Sequence, residues 1–354
     1  MPVIFRNPSK FLAYSRLAHD YRKSVHLRQA EHLAGLTVPP FLILSITAAC
    51  NLKCAGCYAA AVGTTLQGEA RCEGPERNLD FDQWQHIIQQ ARDLGVFGFI
   101  LAGGEPFLFP RLLDLCAAFP DRLFLIFTNG TALNDDLFSR LKRLPNAVVI
   151  VSIEGDRLAT DQRRGTGVYL KAIQAIERLH DANLLGGISV TITRNNYEYW
   201  MESTSIDALQ AVGVRLGFFI EYIPAGDAPK GMPMLSSAER DAFRARILEY
   251  RASKAVYIIH SPGDEKILGG CISAGRGFAH VTPRGDLTPC PVSLVATHNL
   301  ATSSLREGLE SPLFQQIRES ECLLDTGDTP CALFAHPEQI TSLARNVGGY
   351  QASR

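Results

Sequence analysis

Phe41-Leu-Ile-Leu-Ser-Ile-Thr-Ala-Ala-Cys50-Asn-Leu-Lys-Cys54-Ala-Gly-Cys57-Tyr58 is the stretch on which the fold turns. Its first half is a short, continuously apolar run, the pattern of a strand buried on both faces. Its second half places three cysteines within eight residues, where such a strand would end. Val38-Pro39-Pro40 stands just before it and favours extended backbone. Five more apolar runs follow at Val96–Leu101, Leu123–Phe127, Ala147–Ile153, Gly187–Thr193 and Leu216–Ile220. Helical patterns lie between them near 81–94, 110–118, 134–143, 168–182 and 202–212, with Asp80 and Asn134 placed as N-caps. This alternation predicts a parallel sheet covered by helices and joined by right-handed crossovers. The expected fold is α/β, a partial (β/α)6 TIM-like barrel over residues 41–225. The first βα loop has no G-x-G-x-x-G, which argues against a dinucleotide-binding sheet. Barrels carry their chemistry at the C-terminal ends of the strands, and the cysteine loop falls there.

The flanks differ from this core. Residues 1–40 form a basic N-terminal segment, six Lys/Arg against Asp20 and Glu31. Phe11, Tyr14, Ala18, Tyr21 and Val25 recur there at three- and four-residue steps, predicting an amphipathic helix. Its basic face is either solvated or a membrane-surface contact of residues 1–35. Residues 226–354 open with a helix over Ala238–Arg251 and become rich in Gly, Pro and Cys. That composition predicts a small Cys-rich C-terminal domain, too thin in core without a metal staple.

The 354-residue chain is 46% apolar and 20% charged, which excludes a disordered or coiled-coil protein. The longest apolar stretch, Phe41 to Cys50, is about half of the roughly 20 residues a membrane span takes. No secretory signal pattern is visible. Lys and Arg number 35 against 36 Asp and Glu, and the net charge of −1 gives no general attraction to nucleic acid. A cytoplasmic location is expected, where nine cysteines are better read as metal ligands or catalytic groups than as disulfides.

Three thiolates on one short loop can bind three irons of a [4Fe–4S] cluster and leave the fourth open. A structural zinc site wants four closed ligands, and no neighbouring His or Cys completes one. The spacing C-x3-C-x2-C, the trailing Tyr58 and the strand before it resemble the radical S-adenosylmethionine (SAM) superfamily. The resemblance implies a cluster on Cys50, Cys54 and Cys57 whose open iron chelates SAM. One electron from the cluster then cleaves SAM to methionine and a 5′-deoxyadenosyl radical, which abstracts hydrogen from substrate. Gly103-Gly104-Glu105-Pro106, at the end of the second strand, matches the family motif that holds the methionine amino group. Asn129 closes the third strand, as in many such barrels. Ser152 and Glu154 close the fourth and resemble the ribose-side position. Asp161-Gln-Arg-Arg-Gly165 resembles a further family stretch, with Thr160 in place of its His. Ser189, on the fifth strand, is placed to reach the SAM carboxylate. Glu221 and Tyr222, after the sixth, point to the same mouth and either contact substrate or close the barrel.

The late cysteines make a second zone. Cys271 followed by Gly285-Asp-Leu-Thr-Pro-Cys290 resembles the opening of SPASM or Twitch domains, which bind auxiliary [4Fe–4S] clusters. The full SPASM cysteine run is absent. The expectation is one auxiliary cluster on Cys271, Cys290 and Cys331, with Cys322 as fourth ligand. His336, an acidic residue or an open iron are the alternatives. A four-cysteine zinc site or a domain without metal are the competing readings, and the lack of tight C-x2-C knuckles argues against zinc. Cys116 sits on an apolar helical face and is expected to be simply buried. Cys72 lies in a polar insertion, as an inert loop thiol or a substrate-contacting one.

The resemblance implies a radical SAM oxidoreductase fed by an electron donor such as flavodoxin or ferredoxin. A peptide or protein side chain is the expected substrate, although 40 N-terminal residues are too few for a winged-helix leader-binding domain. A small-molecule or lipid-linked substrate is the alternative. A non-enzymatic Fe–S electron carrier would not need Gly103–Pro106. A methyltransferase of this superfamily would usually bring a cobalamin domain or paired catalytic cysteines.

Overall fold

The computed structural model describes residues 8–69, 78–225, 232–293, 295–326 and 329–352. The six apolar runs become strands β1 Phe41–Thr47, β2 Gly98–Gly103, β3 Leu123–Thr128, β4 Ala147–Ser152, β5 Gly186–Ile192 and β6 Leu216–Glu221. They lie side by side in chain order, every pair parallel. Helices Phe81–Asp93, Leu112–Ala118, Asp135–Leu141, Val168–Asp181 and Ser203–Ala211 form the crossovers, so the partial barrel expected from the alternation is the fold. Asp80 opens the first with a reciprocal cap: Gln83 N–H donates to Asp80 Oδ1 at 2.8 Å, and Asp80 N–H to Gln83 Oε1 at 2.9 Å. Such caps contribute about 1 kcal/mol each and fix where the helix begins.

Alternation along the strands sorts the core. Leu42, Leu44 and Ile46 of β1 pack outward in one cluster with Trp84, Ile87 and Ile88 of the first crossover helix, all essentially inaccessible. Each such side chain contributes about 1.5–3 kcal/mol by leaving water. The inward side chains form a separate cluster around Leu125, Val148, Ile150 and Phe218. Leu125 and Phe218 of this cluster also line a cavity of about 790 Å³, together with Phe41, Ile43, Phe127 and Ile220.

The sheet does not stop near residue 225. β7 Tyr257–Ser261 joins β6 in parallel, and β8 Phe278–Val281 joins β1 in parallel at the opposite edge. β9 Asp286–Thr288 and β10 His298–Asn299 then extend that edge antiparallel. The order is β10-β9-β8-β1-β2-β3-β4-β5-β6-β7. The last third of the chain thus covers both edges whose backbone groups would otherwise be unpaired. His280, fully buried in β8, joins Ser45 Oγ of β1 and Thr288 Oγ1 of β9, each at 2.8 Å.

The N-terminal helix runs from Pro8 to Leu33, and its buried seam is Leu17 and Ser24. That seam is turned away from the expected stripe: Ala18 and Tyr21 are exposed, and the side chain of Phe11 lies outside the described residues. The cause is the loop it rests on. Arg28 Nη1 donates to Gly95 O at 2.6 Å, and a Cβ on Gly95 would meet Leu27 Cβ at 2.8 Å and the backbone Ser24 O at 2.9 Å, so the helix lies directly against this loop.

Candidate active site

The loop carrying Cys50, Cys54 and Cys57 leaves β1 and is held from three sides. Ala49–Cys50 pairs with Leu66–Gln67, and Gln67 Nε2 donates to Cys54 O at 2.9 Å. Ala55 N–H donates to Arg163 O at 2.9 Å. Asn129 Nδ2 donates to Asn51 Oδ1 at 2.9 Å, and Asn51 Nδ2 to Thr131 Oγ1 at 2.8 Å, tying the loop to the end of β3. All three thiols are partly exposed and line the barrel cavity. Burial pushes the Cys50 thiol up to about 12, and its two neighbours add to that. Burial also raises Cys54, while Arg164 and then Arg163 draw it back. Three sulfurs concentrated beside two cations form a donor set suited to a metal centre of net negative charge.

Gly103 and Gly104 bring backbone against this loop. Gly104 N–H donates to Thr47 O and Glu105 N–H to Ala49 O, both at 2.8 Å. A Cβ on Gly104 would stand 1.9 Å from Ala49 O, and Gly103 has φ +113°, a conformation that favours glycine. Glu105 is buried, and both of its oxygens are engaged. Thr128 Oγ1 donates to Oε1 at 2.7 Å, and Asn129 N–H donates to Oε2 at 2.8 Å. Burial raises this carboxyl, while those two bonds and one from Phe107 N–H lower it. Glu105 therefore joins the ends of β2 and β3 and sets the cavity rim.

Asn129, Ser152 and Ser189 also line the cavity, the two serines side by side across β4 and β5. Pro106 and Glu154 do not line it. Pro106 is buried at the start of a 3-10 turn. Glu154, 2% exposed, forms ion pairs with Arg163 and Arg164. It is the two arginines that line the cavity, held in place by the carboxylate behind them. Their place in the Asp161–Gly165 stretch was the only sequence signal for them. The Glu221–His260 contact carried none, because its partners are 39 residues apart: His260 Nε2 and Glu221 Oε1 are 2.9 Å apart, both side chains buried. Glu221 Oε2 and His260 Nδ1 have no partner among the described residues.

The structure brings three of the late cysteines together. Cys271, Cys290 and Cys331 are all buried, and burial raises each thiol, Cys271 to about 12 and Cys331 to about 11. Their loops are cross-tied: Cys271 N–H donates to Leu324 O at 2.9 Å, and Ala274 N–H to Pro289 O at 3.0 Å. Cys322 stands outside the group. It is exposed, with Sγ 3.6 Å from His336 Nε2 and 3.3 Å from Gln339 Oε1. Glu265, which no sequence motif marks, is buried beside Cys271, and burial raises its carboxyl to about 7. Tyr58 is half-buried, with Cys57 and Cys290 both acting on its hydroxyl, so it stands between the two cysteine zones. Cys116 is buried on its helix as expected; Cys72 lies outside the described residues. Among the described residues, no three Cys, His, Asp or Glu side chains close on one ion-sized point. A cubane, with an iron at each corner, takes thiolates that stand farther apart. No described helix is long and apolar enough to cross a membrane.

Residues 44–204 match the sequence model of the Radical SAM superfamily. The chain is 26% identical over 315 residues to the AdoMet-dependent heme synthase of Methanosarcina barkeri, covering 82% of this chain and 87% of that protein. It is 27% identical over 318 residues to the mycofactocin maturase MftC of Mycobacterium ulcerans, covering 83% and 80%. Its fold is similar to that of Streptococcus suis SuiB in the crystal structure with precursor peptide SuiA. The TM-score is 0.68 at 18% identity, over 86% of this chain and 72% of that one.

Proposed function

We propose that this chain, whose residues 44–204 match the Radical SAM superfamily model, cleaves SAM reductively and acts on a peptide or protein side chain. The superfamily's [4Fe–4S] cluster and SAM, when bound, supply one-electron cleavage of the sulfonium and a radical that takes a hydrogen atom. The observation that carries the reading is the meeting of three thiols with Gly104, whose missing Cβ leaves room for no side chain, at the mouth of one cavity.

The chain's residues take the following roles. Cys50, Cys54 and Cys57 hold the cluster. Gly103 and Gly104 offer backbone to the methionine end of SAM, with Glu105 fixing their position. Asn129, Ser152 and Ser189 face its ribose and carboxylate. Arg163 and Arg164 supply positive charge beside Cys54, and Glu154 holds them there. Tyr58 closes the floor between the cysteine zones. Phe41, Ile43, Phe127 and Phe218 keep water from the cavity, which lengthens the life of a reactive species. Cys271, Cys290 and Cys331 hold an auxiliary cluster, and a flavodoxin or ferredoxin delivers the electron.

A peptide substrate is favoured by the maturase relative and by the likeness to a fold crystallised with its precursor peptide. A small molecule is the second reading, favoured by the heme synthase relative and the aromatic cavity wall. The test is anaerobic reconstitution, iron and sulfide counting, and turnover with SAM, dithionite and a small peptide encoded beside the gene. About eight irons, falling to about four in the Cys50/Cys54/Cys57→Ala protein, together with a mass change in the peptide, is the expected result. An unchanged peptide and a modified tetrapyrrole would establish the second reading.

A further inference from the structure

The buried sulfurs of the second zone number three, and a cubane has four corners. Cys322, the remaining late cysteine, is exposed and turned toward His336 and Gln339. Glu265 is a buried carboxylate beside the three buried sulfurs. It sits in the 3-10 turn Gly263–Leu268, directly after β7, and is only 7% exposed. Its carboxylate lies beside the Cys271 thiol, which itself donates to Ser273 Oγ at 3.2 Å, and it shares the barrel-cavity lining with Cys290. Its charge acts on all three thiols of the group, Cys271, Cys290 and Cys331. The turn is fixed by its own backbone: Glu265 N–H donates to Pro262 O at 2.8 Å, and Gly270 N–H to Glu265 O at 3.0 Å. A buried carboxylate beside three buried thiols is expensive in an apolar setting unless a cation takes all four.

We infer that Glu265 is the fourth ligand of the auxiliary centre, an oxygen donor completing the set Cys271, Cys290 and Cys331. This rests on the auxiliary cluster proposed above and adds to it the identity of one corner. A carboxylate is a harder and more readily displaced ligand to iron than a thiolate. Glu265 also lines two cavities, the barrel cavity and a neighbouring one of about 450 Å³ that reaches Arg240, Asp241 and Lys266. The iron it holds is therefore the corner that a substrate donor can reach.

The test uses the full chain carrying Cys50/Cys54/Cys57→Ala, so that only the second zone loads iron. Iron, acid-labile sulfide and the electron paramagnetic resonance spectrum are measured after anaerobic reconstitution. The background protein is expected to hold about four irons. Glu265→Gln is expected to drop to about three, with a three-iron cluster signal when oxidised. Glu265→Cys should keep four with a changed reduced spectrum, and Cys322→Ser should change nothing. If Glu265→Gln loses all iron, restoration of four by Glu265→Cys supports ligation, and failure of both variants overturns it. Four irons and an unaltered spectrum in Glu265→Gln, or a three-iron signal in Cys322→Ser, would also overturn it. No iron in the background protein would remove the auxiliary cluster and this ligand together, while leaving the SAM-cleaving site untouched.

Discussion

Arg164 Nε donates to Glu154 Oε1 at 2.7 Å, and the same guanidinium acts on the Cys54 thiol, offsetting part of the burial that raises it. Glu154 thus carries two arginines, and its removal leaves two nearly buried cations facing one another. Glu154→Gln is expected to cost about 3 kcal/mol in unfolding free energy, the scale for breaking a buried ion pair from one side. Urea denaturation of the iron-free protein measures it. The same substitution should weaken SAM binding by the reconstituted protein, read by calorimetric titration. An unchanged urea midpoint would mean that Arg163 and Arg164 need no anchor.

Gly104→Ala tests the close approach of β2 to the cysteine loop. The added methyl would overlap Ala49 O, a backbone atom that cannot swing aside. The expected outcome is a displaced loop and loss of the first cluster, seen as roughly half the iron of the wild-type protein. Retention of the full iron count would show that the loop and strand can separate without cost.

His280 gives stability a pH dependence. Burial holds its imidazole down to about 3, and it lies neutral between Ser45 and Thr288. The unfolded chain takes up a proton near pH 6.5 that the folded chain refuses. Stability is therefore fully present above that pH and is lost as pH falls toward 3, at about 1.4 kcal/mol per pH unit from this group. Unfolding midpoints measured between pH 7 and pH 5 should fall accordingly. His280→Gln should be less stable at pH 7 and should flatten that slope. Parallel slopes in the two proteins would contradict the assignment.

Cys290→Ala separates the two zones. Cys290 acts on Tyr58 from the side of the late cysteines, so on the proposed assignment its loss removes an auxiliary ligand without touching the Cys50–Cys57 loop. Deoxyadenosine release is expected to persist within a few-fold of wild type, with iron reduced to about four per chain and modified product lost. Loss of deoxyadenosine release as well would mean that the zones assemble as one unit.

Local pattern made the barrel legible. Phe41–Thr47 and its five successors are continuous apolar runs with capped helices between them, and each is decided by its own residues. The Cys50–Cys57 loop and Gly103–Gly104 were legible because each motif is contiguous. What sequence did not reveal is held by distant contacts. β8 is interrupted by His280, whose partners are Ser45 and Thr288, so its polar side chain hides a central strand. Glu265 meets Cys290 and Cys331 only through the fold, and Cys322 is turned outward by its own short helix Glu321–Leu324. The seam of the first helix depends on Gly95, 71 positions from Ser24 (95 − 24), so its own periodicity did not locate it.

The proposed function stands or falls with Cys50, Cys54 and Cys57 as holders of a cluster that cleaves SAM. The most direct measurement is 5′-deoxyadenosine released from SAM by the reconstituted, dithionite-reduced protein, compared with Cys54→Ala prepared in parallel. Release by the wild-type protein and none above background in Cys54→Ala is the predicted result. Equal release from both proteins, or none from a wild-type protein carrying its full iron, would contradict it.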